Sequence, residues 1–444
     1  MKIGLIAMSG VRVRTAELAA LGVTLPGFIR RGKVIASLPS LGLLTIAGLT
    51  PPHHEVSYIE IDDLPDLQSL PDFDLVAISC LTASVMDAYK VANAYRARGI
   101  RVVMGGLHVS SLPEEALGHC DAVVIGGAEN AWPQLVADAE RSRLQRCYHG
   151  ATAGVFEPSN YARPRFDLIK GRPYNRATIQ TSRGCPRGCE FCAASPLITR
   201  HFNQKPVGLV MEEIQSLRRE FPEPFVELAD DNTFLNKAWG REFLRALIPE
   251  RLRWFTETDA SVADNPELCD LIAESGCRQL LIGFESPRAA DLGEIDPLGW
   301  KQKIASRAHR VVDTLQSRGV SVNGCFILGL DHHTPEIFPV IRDFVLSSGL
   351  AEVQLTVLTP FPGSSLYGRL EREERLLGRQ FWERCTLFDV NYRPARMTVE
   401  ELESGLRWLF TELYSVEATE QRRRTFARMS RQRGEVSMQT SLEP

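Results

Sequence analysis

No apolar run in this chain of 444 residues is long enough to cross a bilayer. The longest candidate, residues 34–49, is broken by Pro39, Ser40 and Gly42. No export signal is visible either, since Met1-Lys2-Ile3-Gly4-Leu5-Ile6 has the pattern of a first β-strand. Both absences lead to the expectation of a cytoplasmic protein without a transmembrane segment. A strong charge excess is lacking too. The formal net charge of -4 gives no general pull towards nucleic acid or an anionic membrane. Ten cysteines in a large chain without an export signal read as reduced thiols and not as a disulfide frame. Cys80, Cys120, Cys147, Cys269, Cys277, Cys325 and Cys385 have no close cysteine neighbour, so each is expected to be a small buried apolar side chain.

What is present is one dense cysteine cluster. Cys185, Cys189 and Cys192 lie in the run Ser182-Arg183-Gly184-Cys185-Pro186-Arg187-Gly188-Cys189-Glu190-Phe191-Cys192, with spacing C-x-x-x-C-x-x-C. Three thiolates without a fourth partner suit an iron–sulfur cubane with one iron left open to a ligand. Zinc is the competing reading. It wants four ligands, usually as two spaced pairs, and His201 is the nearby candidate for the fourth. Gly184, Pro186 and Gly188 make the segment an exposed loop and not a core element.

The length implies two or three domains. Residues 1–144 alternate strand and helix. Strands are expected at 2–8, 56–61, 74–79, 101–106 and 121–126, with a helix over 84–99. That pattern predicts a doubly wound, Rossmann-like parallel sheet, whose ligands sit beyond the carboxyl ends of the strands. The residues there are Ser79, Thr82, Gly105, Gly106, His108, Gly126, Gly127 and Glu129. The glycines either let a ligand approach the backbone or only make tight turns. Residues 145–175 read as a linker. From 176 to 365 the alternation restarts, with strands at 177–181, 225–229, 254–258, 279–284, 320–328 and 352–358. Six such units predict a partial (β/α)6 barrel with chemistry at the carboxyl rim, and the triad follows its first strand. Residues 366–444 read as a helical cap. Six arginines within 421–434 suit either a solvated helix end or a contact to an anionic substrate or partner.

The triad, with its Phe191-Cys192 ending after a strand that opens a partial barrel, resembles the radical S-adenosylmethionine (SAM) superfamily over residues 175–365. The resemblance implies a 4Fe–4S cluster on Cys185, Cys189 and Cys192, with SAM on the open iron and Phe191 beside it. Reductive cleavage of SAM then gives a 5′-deoxyadenosyl radical, and the electron comes from a donor such as flavodoxin or ferredoxin. It also implies that Asp230 and Asp231 meet the SAM amino group, although helix capping is the plainer use of acids there. Glu285, in Gly283-Phe284-Glu285-Ser286, resembles a SAM-ribose contact, and Gly324 to Leu330 resembles a motif near the adenine.

The preceding domain resembles that of the cobalamin-binding subfamily. Pro39-Ser40-Leu41-Gly42-Leu43 matches an early segment, and Gly105-Gly106-Leu107-His108 and Gly126-Gly127-Ala128-Glu129 match its phosphate and tail loops. No D-x-H-x-x-G signature is present, so no histidine of that kind is expected to ligate cobalt. His108 reads equally as a cofactor contact or a surface-loop histidine. The resemblance implies a cobalamin-dependent C-methyltransferase acting on a small or lipid-like substrate. An oxidative cyclase with the same cofactors is the alternative. Transfer-RNA methylthiolation would need Cys80, Cys120 and Cys147 to form a second cluster, and a cofactor sensor would leave the barrel unused.

Overall fold

The computed structural model describes residues 1–9, 18, 38–151, 153–157, 161–172, 174, 176–194, 198–199, 201–293, 295–296 and 298–440, with backbone alone from 432. Six parallel strands build the first sheet: β1 (Lys2–Met8), β2 (Glu55–Ile61), β3 (Leu75–Ser79), β4 (Arg101–Gly105), β5 (Ala122–Ile125) and β6 (Cys147–His149). Their order is β2-β1-β3-β4-β5-β6. The chain winds outwards from β1 in both directions, which is the doubly wound plan. β6 lies in the stretch read as a linker; its Cys147 pairs with Val123 of β5. Three residues carry too weak a pattern to announce a strand.

The second sheet holds β7 (Ala177–Ile179), β10 (Phe225–Leu228), β11 (Arg253–Thr258), β12 (Cys277–Glu285), β13 (Ser321–Leu328) and β14 (Glu352–Val357), paired in that order and all parallel. Each strand pairs with the next in sequence, so the sheet curls one way into a partial barrel. A short antiparallel pair, β8 (Ser182–Arg183) and β9 (Asn203–Gln204), brackets the loop of the cysteine triad.

Of the apolar run at 34–49, residues 34–37 lie outside the described residues, and Leu41–Leu49 form a helix whose first turn is capped by the Ser40 side chain accepting from Leu43 N–H. One side of it packs into the core and another lines a cavity, so apolar residues serve on more than one face. Leu43, Leu44, Ile46 and Ala47 are buried in one core that continues from the first sheet into the barrel. A second core on the other face of the first sheet takes in Trp382 and Cys385 of the C-terminal region. Among the described residues no helix is long and apolar enough to cross a membrane.

The C-terminal region is helical, as Ser365–Arg372, Val399–Tyr414 and Val416–Thr440. Thr398 and Glu401 form a reciprocal capping box at the start of the second. Arg422, one of the six arginines, is buried and donates to the Leu413 carbonyl, and Arg424 pairs with Glu420 one turn away. The helix Val399–Tyr414 packs on Ile337–Ser348, where Gly405 lies directly against the Phe338 ring. A Cβ at 405 would overlap that ring. Gly405→Ala is therefore expected to destabilise the chain by about 1–3 kcal/mol through overpacking. A lowered thermal midpoint by circular dichroism checks it; an unchanged midpoint contradicts the packing described.

Candidate active site and cofactor cavities

The triad loop starts where β7 ends, and one carboxylate holds its origin. Asp230, just past β10, accepts from Thr181 N–H at 2.7 Å and Ser182 N–H at 2.8 Å, and from the hydroxyls of Thr181 and Thr233. Its oxygens are spent on the polypeptide and it is buried below the rim. The expectation of a cofactor contact is therefore corrected for Asp230. Its neighbour Asp231 does face the cavity, where it also accepts from Gly184 N–H at 3.1 Å. Gly184 has φ +90, and a side chain there would strike the His201 carbonyl. The loop closes with Cys192 N–H donating to Cys189 C=O at 3.1 Å.

Cys185, Cys189 and Cys192 are half-buried and line one cavity of about 340 Å³, together with Phe191. Among the described residues their sulfurs do not gather within 4.8 Å of one another. One zinc ion would need them that close, whereas a cubane takes each sulfur on a different iron. His201 is exposed and contributes its carbonyl to the loop packing. The donor set thus fits a three-cysteine cluster with a vacant corner. Burial pushes the Cys189 thiol up to about 12, so loading the site must release its proton.

The rest of that cavity is rich in charge. Glu285 ends β12 at φ +63, where the β12–β13 register shifts, and lies on the cavity wall. Lys301 Nζ donates to Glu285 Oε1 at 2.6 Å, with both side chains buried. Arg187 pairs with Asp259 at 2.6 Å, and its guanidinium lies 4.4 Å from the Trp300 ring centre. Glu257 projects from β11 into the same space. Its side chain is open to the cavity, yet the enclosing barrel wall desolvates it and, with Glu227, Asp231 and Glu285 nearby, pushes it up to about 7. Sequence reasoning missed Lys301, Glu257 and Arg187. It also placed Cys325 among the buried apolar thiols, whereas this residue lines the barrel floor of the cavity.

A second cavity, of about 310 Å³, lies beyond the carboxyl ends of β3, β4 and β5. Ser79, Gly105, Gly106, Gly126, Gly127 and Glu129 line it, as does the helix Leu41–Leu49. Gly106, at φ +109, has the Cys80 carbonyl where a Cβ would stand. Thr82 and His108 do not line this cavity, which corrects both expectations. Thr82 is buried in the short 3-10 turn Thr82–Ser84 beside β3. His108 is one residue into the helix Leu107–Ser111, which turns its ring away into the other core. There its Nε2 lies 3.2 Å from Glu115 Oε1 and its ring stands edge-on to Trp382 at 5.2 Å.

The barrel supplies the opposite wall of this second cavity through Gln180, Arg183, Ile198 and Ala229. Arg183 binds Glu129 across the domain boundary at 2.7 Å. The carboxyl edges of the two sheets therefore face each other. Arg183 and Ala229 are on one cavity, and Cys185 and Asp231, two residues further along each segment, are on the other.

Residues 179–345 match the radical SAM superfamily, residues 29–136 a B12 binding domain, and residues 364–443 a domain of unknown function (DUF4070). The chain is 25% identical to a bacteriochlorophyllide d C-12(1)-methyltransferase of Chlorobaculum tepidum, over 85% of this chain and 83% of that protein. It is 26% identical to a hopanoid C-2 methylase of Rhodopseudomonas palustris, over 78% of this chain and 66% of that one. Its fold is similar to the radical SAM methyltransferase TsrM from Kitasatospora setae, solved with cobalamin and a [4Fe-4S] cluster bound. The TM-score is 0.64 at 17% identity, over 84% of this chain and 78% of that one. The chain therefore carries a B12 binding domain ahead of a radical SAM domain, with a cavity at the carboxyl edge of each sheet.

Proposed function

We propose that the protein methylates an unactivated carbon of a small or lipid-like substrate, as a cobalamin-dependent radical SAM enzyme. The observation that carries this reading is the adjacency of the two cavities, which share the loop from Arg183 to Cys185 and the strand end from Ala229 to Asp231. The two methyltransferase relatives support the reaction class. When bound, the cluster with SAM supplies a hydrogen-abstracting 5′-deoxyadenosyl radical and cobalamin supplies the methyl group.

The chain's own residues do the holding and orienting. Cys185, Cys189 and Cys192 hold the cluster, and Phe191 covers it. Lys301 fixes Glu285 at the cavity wall, and Arg187 fixes Asp259. Among the described residues no cation lies within ion-pair distance of Asp231, so the cavity carries surplus negative charge. That surplus suits the positively charged SAM. The glycine-rich ends of β4 and β5 leave room for cobalamin against the backbone, with the Glu129–Arg183 pair closing the barrel side. An external one-electron donor such as flavodoxin or ferredoxin completes the reaction.

Anaerobic reconstitution with iron, sulfide and cobalamin, followed by dithionite and SAM, is expected to yield 5′-deoxyadenosine. Cys185→Ala, Cys189→Ala and Cys192→Ala are each expected to lose it, and full yield in all three overturns the reading. Iron analysis is expected to give about four irons per chain. About eight would favour a second cluster and the methylthiolation chemistry. A product heavier than its substrate by one CH2 separates methylation from cyclisation.

Gly105 lines the cobalamin cavity and a Cβ there meets nothing closer than 3.8 Å, so a larger side chain grows into the open space. Gly105→Leu is expected to lower retained cobalamin at least about tenfold, given the steric cost of overpacking. Iron content should stay at the wild-type level. The visible spectrum of the purified protein checks it, and full cobalamin retention would move that cofactor out of this cavity.

A further inference from the structure

We propose that the C-terminal segment, which matches a domain of unknown function, clamps the cluster loop, with Arg369 as its positioning residue. This rests on the reading of the triad as a cluster site. Glu190 lies between Cys189 and Cys192, so its placement sets the path of the chain between two of the three sulfurs. Arg369, on the helix Ser365–Arg372, grips its carboxylate with both arms of the guanidinium. Nε donates to Oε1 at 2.6 Å and a terminal nitrogen donates to Oε2 at 3.1 Å. Such two-point pairing fixes orientation as well as distance. The backbone is held from the same helix, by Leu366 N–H donating to Glu190 C=O at 3.0 Å.

The grip is itself anchored to the barrel. Arg369 also donates to Asp331 at 2.6 Å, just past β13, and Asp331 receives Arg375 at 2.7 Å. The side chains of Glu190, Asp331 and Arg375 are only 14%, 14% and 17% exposed, so this is a screened network and not a solvated surface pair. The same segment reaches the cavity wall. Leu387 lines the cluster cavity at φ +71, and its carbonyl accepts from Val357 N–H at the end of β14 at 2.7 Å. A leucine held in the left-handed region marks a backbone that its surroundings over-determine. The segment also docks on the first domain, through Trp382 Nε1 donating to Glu115 at 3.2 Å. One stretch of chain thus grips the cluster loop, closes the side of the barrel beyond β14 and ties both to the cobalamin-binding domain.

A segment that only completed the fold would change stability without changing the cluster. The test therefore follows the cluster in the reconstituted full-length holoprotein. Wild type is expected to hold iron against a chelator, and its reduced cluster is expected to give an electron paramagnetic resonance spectrum that shifts on adding SAM. Arg369→Met is expected to lose iron several-fold faster and to show a broadened spectrum with SAM. Glu190→Gln should do the same by removing the charge and one of the two acceptor oxygens, and remains informative if Arg369→Met fails to fold. Arg369→Lys should fall between Arg369→Met and wild type. Gly405→Ala, which strains the C-terminal region away from the clamp, should lower the melting temperature and leave iron release unchanged. Wild-type release and spectra in both Arg369→Met and Glu190→Gln overturn the clamp. Failure of wild type itself to take up a cluster is a different result, and overturns the reading of the triad.

Discussion

The Asp230 carboxylate is the constraint on which the site depends. It draws in two backbone N–H groups at the end of β7 and two threonine hydroxyls, all from one buried position. A buried carboxylate costs free energy unless its oxygens are satisfied, and here four donors satisfy it. Because the first two donors belong to the residues that launch the triad loop, the direction of that loop is set before the first cysteine. Gly184 then turns in a conformation that its missing side chain allows, and its N–H reaches Asp231. Positioning of the three sulfurs is thus built on strand ends and not left to the loop itself.

The second organising fact is electrostatic. Among the described residues two cations line the cluster cavity, and both are committed: Arg187 to Asp259 and Lys301 to Glu285. Committed cations hold carboxylates still without offering a charge to an anionic ligand. The remaining acids shape the field. On the other side of the triad loop, Arg183 is spent on Glu129, so an ion pair spans the domain boundary at the second cavity. The loop therefore separates two chemically different chambers. One is acidic and lined with thiols; the other is apolar and lined with glycine.

Both sheets were legible because buried parallel strands alternate with helices and are bounded by glycine and polar turns. The triad was legible because its spacing sits inside eight consecutive residues. Less was visible at the level of single side chains. Asp230 and Asp231 are neighbours at a strand end, and successive side chains point to opposite faces, so one sequence does not say which looks inward. Thr82 and His108 follow strands as expected, but each enters a helical turn; Thr82 is buried there, and the His108 ring is turned against Glu115 and Trp382. Lys301 comes after a stretch without periodic pattern, sixteen residues beyond its partner Glu285. Nothing local couples them. Cys325 has no cysteine neighbour, and only the curl of the barrel brings it to the cavity floor.

The helix Leu41–Leu49 has a consequence for how such proteins are assembled from parts. Its buried leucines belong to a core that runs without interruption from the first sheet into the barrel. The two units are therefore recognisable as separate families in sequence but share one interior. Recombination that joined one relative's front half to another's barrel would have to match side-chain shapes across this helix, much as a graft must match along its cut surface. Shuffling of whole modules is disfavoured by that geometry. Divergence is left to the rims of the two chambers, where residues change without disturbing the seam.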